Sequence, residues 1–87
     1  MASYRFAVDV MPREGILDPQ GRAVENALPQ LGASSVHGVR VGRRIELTVE
    51  AQDRAEARGL VERLASDVLS NPLVESWSIE EMEAVPA

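Results

Sequence analysis

Residues 36–50 read VHGVRVGRRIELTVE, and the fold turns on how they are divided. Two runs, 36–41 and 45–50, read as strands around Gly42-Arg43-Arg44, the pattern of a tight connection. Val39 and Val41 match Ile45, Leu47 and Val49 as inward-facing positions. A two-residue loop at 42–43 would set Val41 opposite Arg44 and turn Ile45, Leu47 and Val49 outward. The spacing therefore predicts a three-residue connection or a bulge.

Upstream, residues 4–11 alternate, with Tyr4, Phe6, Val8 and Val10 on one side and Arg5, Ala7, Asp9 and Met11 on the other. The second side is only half polar, so Ala7 and Met11 are either a contact surface or scattered surface apolars. Asp18-Pro19 starts a helix: the carboxylate accepts free backbone N–H groups, and proline stands where no N–H is needed. The helix is predicted over 19–31, with Ala23, Val24, Ala27, Leu28 and Leu31 on one stripe, Arg22, Glu25 and Asn26 opposite, and Gly32 as its stop. Pro29 forfeits the bond to the Glu25 carbonyl, which predicts a kinked last turn.

Downstream, the spacing of Ala57, Leu60, Val61, Leu64, Ala65 and Val68 predicts an amphipathic helix over 53–70, with Asp53 as N-cap and Glu56 completing a capping-box-like pair. Gly59 falls on its polar face, and Asn71-Pro72 ends it. A last strand is predicted over 73–81, with Leu73, Trp77 and Ile79 on one face. The expected fold is α+β: a βαββαβ two-layer sandwich related to ferredoxin-like folds, with a four-stranded antiparallel sheet and both helices on one face. It forms a single domain over residues 1–82, followed by a frayed acidic tail at 83–87. The other sheet face is left open, and in a chain of 87 residues with little apolar area to spare a second copy is its expected cover, which predicts a homodimer.

Composition narrows the function. Nine arginines and no lysine face fourteen acids, for a formal charge of −5, a field that repels nucleic acid and anionic lipid. No run approaches the roughly 20 apolar residues that cross a bilayer. With no cysteine, disulfides, thiolate catalysis and cysteine-ligated zinc drop out, and a cytoplasmic location is expected. The single histidine, His37, has no neighbouring base or paired ligand spacing, so neither a catalytic role nor a metal site is expected. The glycines do not form a phosphate loop. Arg40, Arg43 and Arg44 concentrate positive charge, either as ordinary solvated charge or as a docking patch for an acidic partner.

Three segments, GILDPQGRAVENALPQLG, VHGVRVGRRIELTVE and NPLVESWSIE, together resemble the PurS family, the small subunit of multi-component phosphoribosylformylglycinamidine (FGAM) synthase. The resemblance covers nearly the whole chain. It implies a dimeric βαββαβ unit without catalytic residues of its own, acting in purine biosynthesis as adaptor between a synthetase and a glutaminase subunit. No cofactor is expected on this chain; ATP and Mg are used by the synthetase partner. Carried onto this sequence, the motif positions are Asp18, Pro19, Gln20 and Gly21 at the first turn of the first helix, and Arg40, Gly42, Arg43 and Glu46 around the expected hairpin. All eight are candidate partner contacts; capping and turn geometry give Asp18, Pro19, Gly21 and Gly42 a competing structural reading, whereas Gln20, Arg40 and Arg43 lack such a structural need. Arg43 stands where the family often has lysine.

Other classes of this topology fit less well. An acylphosphatase-type enzyme needs a glycine-rich cradle after the first strand, where MPREGILDPQG supplies only Arg13. RNA-recognition modules need exposed sheet aromatics with basic flanks. A homodimeric regulatory domain that senses small molecules through turns such as DPQG is the alternative reading.

Overall fold

The computed structural model describes residues 1–83. Strand β1 (Ala2–Pro12) forms the centre of the sheet. It is followed by helix α1 (Pro19–Ala27), a 3₁₀ turn (Pro29–Leu31), strand β2 (Arg43–Ala51), helix α2 (Arg54–Leu64), a π-helical turn (Ala65–Leu69) and strand β3 (Glu75–Met82). The sheet has three strands in the order β2-β1-β3, and both pairings are antiparallel. Thus β1 lies between the two strands that α2 connects, the split βαβ arrangement of ferredoxin-like folds.

Register follows from the alternation. Val8 faces Ile45 on one side and Ile79 on the other, Phe6 faces Leu47, and Val10 faces Trp77. On this face Phe6, Val8, Val10, Val49 and Ala51 are buried against Ala57, Val61 and Ala65 of α2 and its π-helical extension. Each large side chain so buried stabilises the fold by about 1.5–3 kcal/mol. Asp53 caps α2 by accepting the Glu56 N–H at 2.8 Å, as expected.

Four sequence expectations require correction. The predicted strand at 36–41 does not form, so there is no hairpin around Gly42 and no fourth strand among the described residues. Gly38 adopts a left-handed backbone (φ 71°), and side-chain carboxylates take the N–H groups of Val39 and Val41 that a ladder would use. Second, α1 makes no substantial contact with the sheet, so only α2 forms the second layer. Third, Val68 is 69% exposed: the wider π turn rotates it off the stripe, and Leu69 packs on the core instead. Fourth, Leu73 is 85% exposed, because a turn closed by N–H bonds from Val74 and Glu75 to the Asn71 carbonyl carries it outward. β3 continues to Met82, and residues 84–87 of the expected frayed tail lie outside the described residues.

The opposite sheet face is not an apolar patch. Ala7, fully buried, sits between Glu46 and Glu80 under a lattice in which Arg44 pairs with Asp9, Glu46 and Glu80, and Arg5 pairs with Glu46. Where the chain has no apolar cover is α1. The predicted helix over 19–31 is divided: the α-helix ends at Ala27, the Leu28 N–H bonds the Glu25 carbonyl, and Pro29 opens a separate 3₁₀ turn that Gly32 ends. The stripe of α1 nevertheless faces solvent: Val24 is exposed, Leu31 is 79% exposed and Leu28 is half-buried. The extents, 52 × 31 × 14 Å, and the radius of gyration, 16.8 Å, express the same fact, since a compact chain of this length has a radius of about 12 Å.

Candidate functional site

The site is built where the long connection between β1 and β2 returns to the sheet. Asp18 lies just before α1 in extended conformation, so its side chain reaches the first free N–H groups: Oδ1 accepts from Gly21 at 3.0 Å. Its other oxygen, Oδ2, accepts from the Val41 N–H at 2.8 Å. These bonds hold the carboxyl below its ordinary range, Gly21 contributing most, then Val41, with Gln20 and the Arg40 charge adding to them. Two turns further along, the Glu25 carboxylate accepts the Val39 N–H at 2.8 Å. The N-cap acid and one acid of α1 thus grip alternate N–H groups of the extended 39–41 segment.

Close approach explains two glycines. A Cβ at Gly21 would collide with the Val39 carbonyl oxygen and lie 2.6 Å from Asp18 Oδ2, so α1 docks against this segment only through glycine. A Cβ at Gly42 would collide with the Val10 carbonyl oxygen and the Met11 sulfur, where the chain crosses the end of β1. Both are structural positions, and Pro19 occupies the first helical position as predicted.

The three arginines expected to form a patch separate. Arg43 grips Glu75 with both terminal nitrogens, at 2.6 and 3.1 Å, and donates to the Leu69 carbonyl at 2.6 Å, tying the end of the π turn to the start of β3. Its pairing holds the Glu75 carboxyl below the ordinary range, with the Asn71 N–H assisting. The expectation that Arg43 lacks a structural need is therefore corrected. Arg44 points to the sheet face, where it pairs with Glu80 and Asp9, and Glu46 lies beside it at 3.6 Å. Arg40 donates to the Pro12 carbonyl and has no carboxylate partner among the described residues.

Between the 16–20 loop and the 41–43 and 74–75 edge runs a groove of about 630 Å³. Asp18, Pro19, Gln20, Gly42 and Arg43 line it, together with Ile16, Leu17, Val41, Val74 and Glu75. Five of the eight positions singled out in the sequence thus meet on one surface. Leu17 is 75% exposed there, and Ile16 and Val74 are exposed as well. Arg40 lies on an adjoining groove of about 310 Å³ with Arg13 and Arg22. Gly21 is buried beneath, and Glu46 belongs to the ion-pair face. Sequence reasoning missed Glu25, which the helical stripe assigns to solvent, and the exposed apolar rim of Ile16, Leu17 and Val74; no local pattern marks either. Among the described residues no group of three or more acidic or histidine side chains is arranged to hold a metal ion.

The arrangement is a two-layer α+β unit with an extended arm and a partly apolar groove, the shape and surface of a subunit suited to docking. Residues 5–83 match the family profile described as PurS: Phosphoribosylformylglycinamidine (FGAM) synthase. The chain is 40% identical to the phosphoribosylformylglycinamidine synthase subunit PurS of Synechocystis sp. over 78 residues, spanning 90% of this chain and 78% of that one. Among solved structures, Bacillus subtilis PurS is 38% identical with a TM-score of 0.81, covering 92% of this chain and 99% of its own. A structure of PurLQS from Thermotoga maritima contains a chain 33% identical, with a TM-score of 0.84 over 94% of this chain and all of that one. The chain belongs to the PurS family.

Proposed function

We propose that this chain is the small adaptor subunit of a multi-component FGAM synthase in purine biosynthesis, seated between the ATP-dependent synthetase and the glutaminase. The observation that carries this reading is family membership over residues 5–83, and the Thermotoga maritima relative was solved as part of PurLQS. Chemistry supplies the purpose. Ammonia released into water at neutral pH becomes ammonium, which is not a nucleophile, so glutamine-derived ammonia must reach formylglycinamide ribonucleotide by a water-excluding route, and a subunit that closes the junction serves the reaction without bond-making groups.

In this reading the chain binds no cofactor of its own, and ATP and Mg belong to the synthetase. It works in the cytoplasm; no helix among the described residues is long and apolar enough to cross a membrane. It acts as a homodimer, which the uncovered stripe of Val24, Leu28 and Leu31 supports. Partner contacts are assigned to the groove lined by Gln20, Pro19 and Arg43 and to Arg40 beside it. The small-molecule-sensing alternative is not favoured, since membership of this family accounts for the motif residues without a ligand.

Size-exclusion chromatography of mixtures tests the assignment. Arg40→Glu should reduce co-elution with the synthetase and glutaminase at a smaller cost in melting temperature than Arg43→Glu, since it gives up one bond to the Pro12 carbonyl and no salt bridge. Arg43→Glu should lower both, because it sets an acid against Glu75. Unchanged co-elution of Arg40→Glu would remove Arg40 from the interface.

A further inference from the structure

Of the nine arginines, Arg5, Arg43, Arg44, Arg54 and Arg58 pair with carboxylates. Three of the rest, Arg13, Arg22 and Arg40, have no salt-bridge partner among the described residues and line one groove. Arg13 and Arg40 are held by neutral acceptors: Arg13 donates to the Pro72 carbonyl at 2.8 and 3.0 Å, and Arg40 to the Pro12 carbonyl. Among the described residues neither guanidinium is in a salt bridge, although Glu14, Asp18 and Glu25 line the same groove, and both are held in position by these carbonyl bonds. Arg40 sits midway between the two gripped residues, Val39 and Val41, so the grip decides where it points.

We infer that Glu25 is a positioning residue which, with Asp18, clamps the 39–41 segment to α1 and so presents Arg40, beside Arg13 and Arg22, to an acidic surface of a partner protein. The inference rests on the adaptor reading for its partner, though not for the clamp itself. Its geometry is specific. From Asp18 to Glu25 the helix rises about 10 Å, whereas two extended residues span about 6.6 Å, and the longer glutamate at the far end takes up part of the difference. A single N–H in extended backbone has no competing helical or ladder partner here, so loss of the carboxylate frees it to water. Without the Glu25 bond, the segment between Gly38 and Gly42 keeps the Asp18 bond and the Arg40 side chain to hold it.

Three variants of the full chain test this. Glu25→Gln keeps an acceptor at the same reach, Glu25→Asp shortens it by one carbon, and Glu25→Ala removes it. In native-state hydrogen exchange the Val39 amide should remain slow in Glu25→Gln and exchange roughly tenfold to a hundredfold faster in Glu25→Asp and Glu25→Ala. Amides of β1 and α2 should be unchanged in all three. Co-elution with the synthetase and glutaminase should follow the same order, retained in Glu25→Gln and reduced in the other two. Slow Val39 exchange in Glu25→Ala would overturn the clamp. A freed Val39 amide with undiminished co-elution would overturn the positioning role and leave the adaptor reading intact. Failure of the unaltered chain to co-elute would overturn the adaptor reading, and with it the presentation of Arg40; the exchange data would then still decide the clamp.

Discussion

Gly21 and Gly59 are both helical glycines, and their surroundings assign them opposite roles. A Cβ at Gly21 collides with the Val39 carbonyl oxygen, whereas one at Gly59 meets nothing within 4 Å. Gly21→Ala should therefore destabilise the chain by about 1–3 kcal/mol, since either α1 or the 39–41 segment must shift. Gly59→Ala should stabilise it by about 1 kcal/mol through helix propensity alone. Urea denaturation measures both, and equal effects of like sign would contradict the packing described. Asp18 belongs to the same scale. Its folded pKa is depressed, so the stability it contributes is complete above the ordinary aspartate value of about 4 and is lost as pH falls through the lower folded value. Between pH 8 and 5 the Val41 amide should exchange with constant protection once intrinsic rates are corrected, and below about pH 4 protection should decline. Asp18→Asn, which keeps an acceptor and does not titrate, should remove that acid limb; an identical limb in the variant would place the titration elsewhere.

At the scale of elements, what could be read from the sequence was what is local. The alternation over 4–11 and 45–50 marked β1 and β2 because each strand's inward residues lie two apart, and Asp18, Pro29, Gly32 and Asp53 marked helix ends because capping acts over three or four residues. Residues 36–41 offer Val39 and Val41 at the same spacing and are not a strand. Their donors are claimed by carboxylates 14 and 23 positions away, which no local period records. The site divides in the same manner. DPQG was legible as a helix start, and Gly21 and Gly42 as structural positions; Arg43 was not legible as a structural residue, because its partner Glu75 is 32 positions distant. Val68 misleads for a different reason: a π turn changes the helical period itself, and nothing in LASDVLS announces it.

Over the whole molecule, one layer is complete and another is missing. β1, β2, β3 and α2 close a core, while α1 extends with Val24 and Leu31 exposed and the opposite sheet face is closed by its own ion pairs. The uncovered helix, rather than the open sheet face, is therefore the surface proposed for a second copy. Val24→Glu with Leu31→Glu should convert the dimer to monomers in sedimentation velocity, with little loss of helical and sheet signal; an unchanged sedimentation coefficient would place the dimer contact elsewhere. The central claim is that this chain contributes contact free energy to a reaction whose bonds are made by others. Its most direct test is glutamine-dependent amidine formation by synthetase and glutaminase, with and without the chain. The account predicts that turnover with glutamine requires all three proteins while turnover with added ammonia needs the synthetase alone. Full glutamine-dependent activity in the absence of this chain would contradict it.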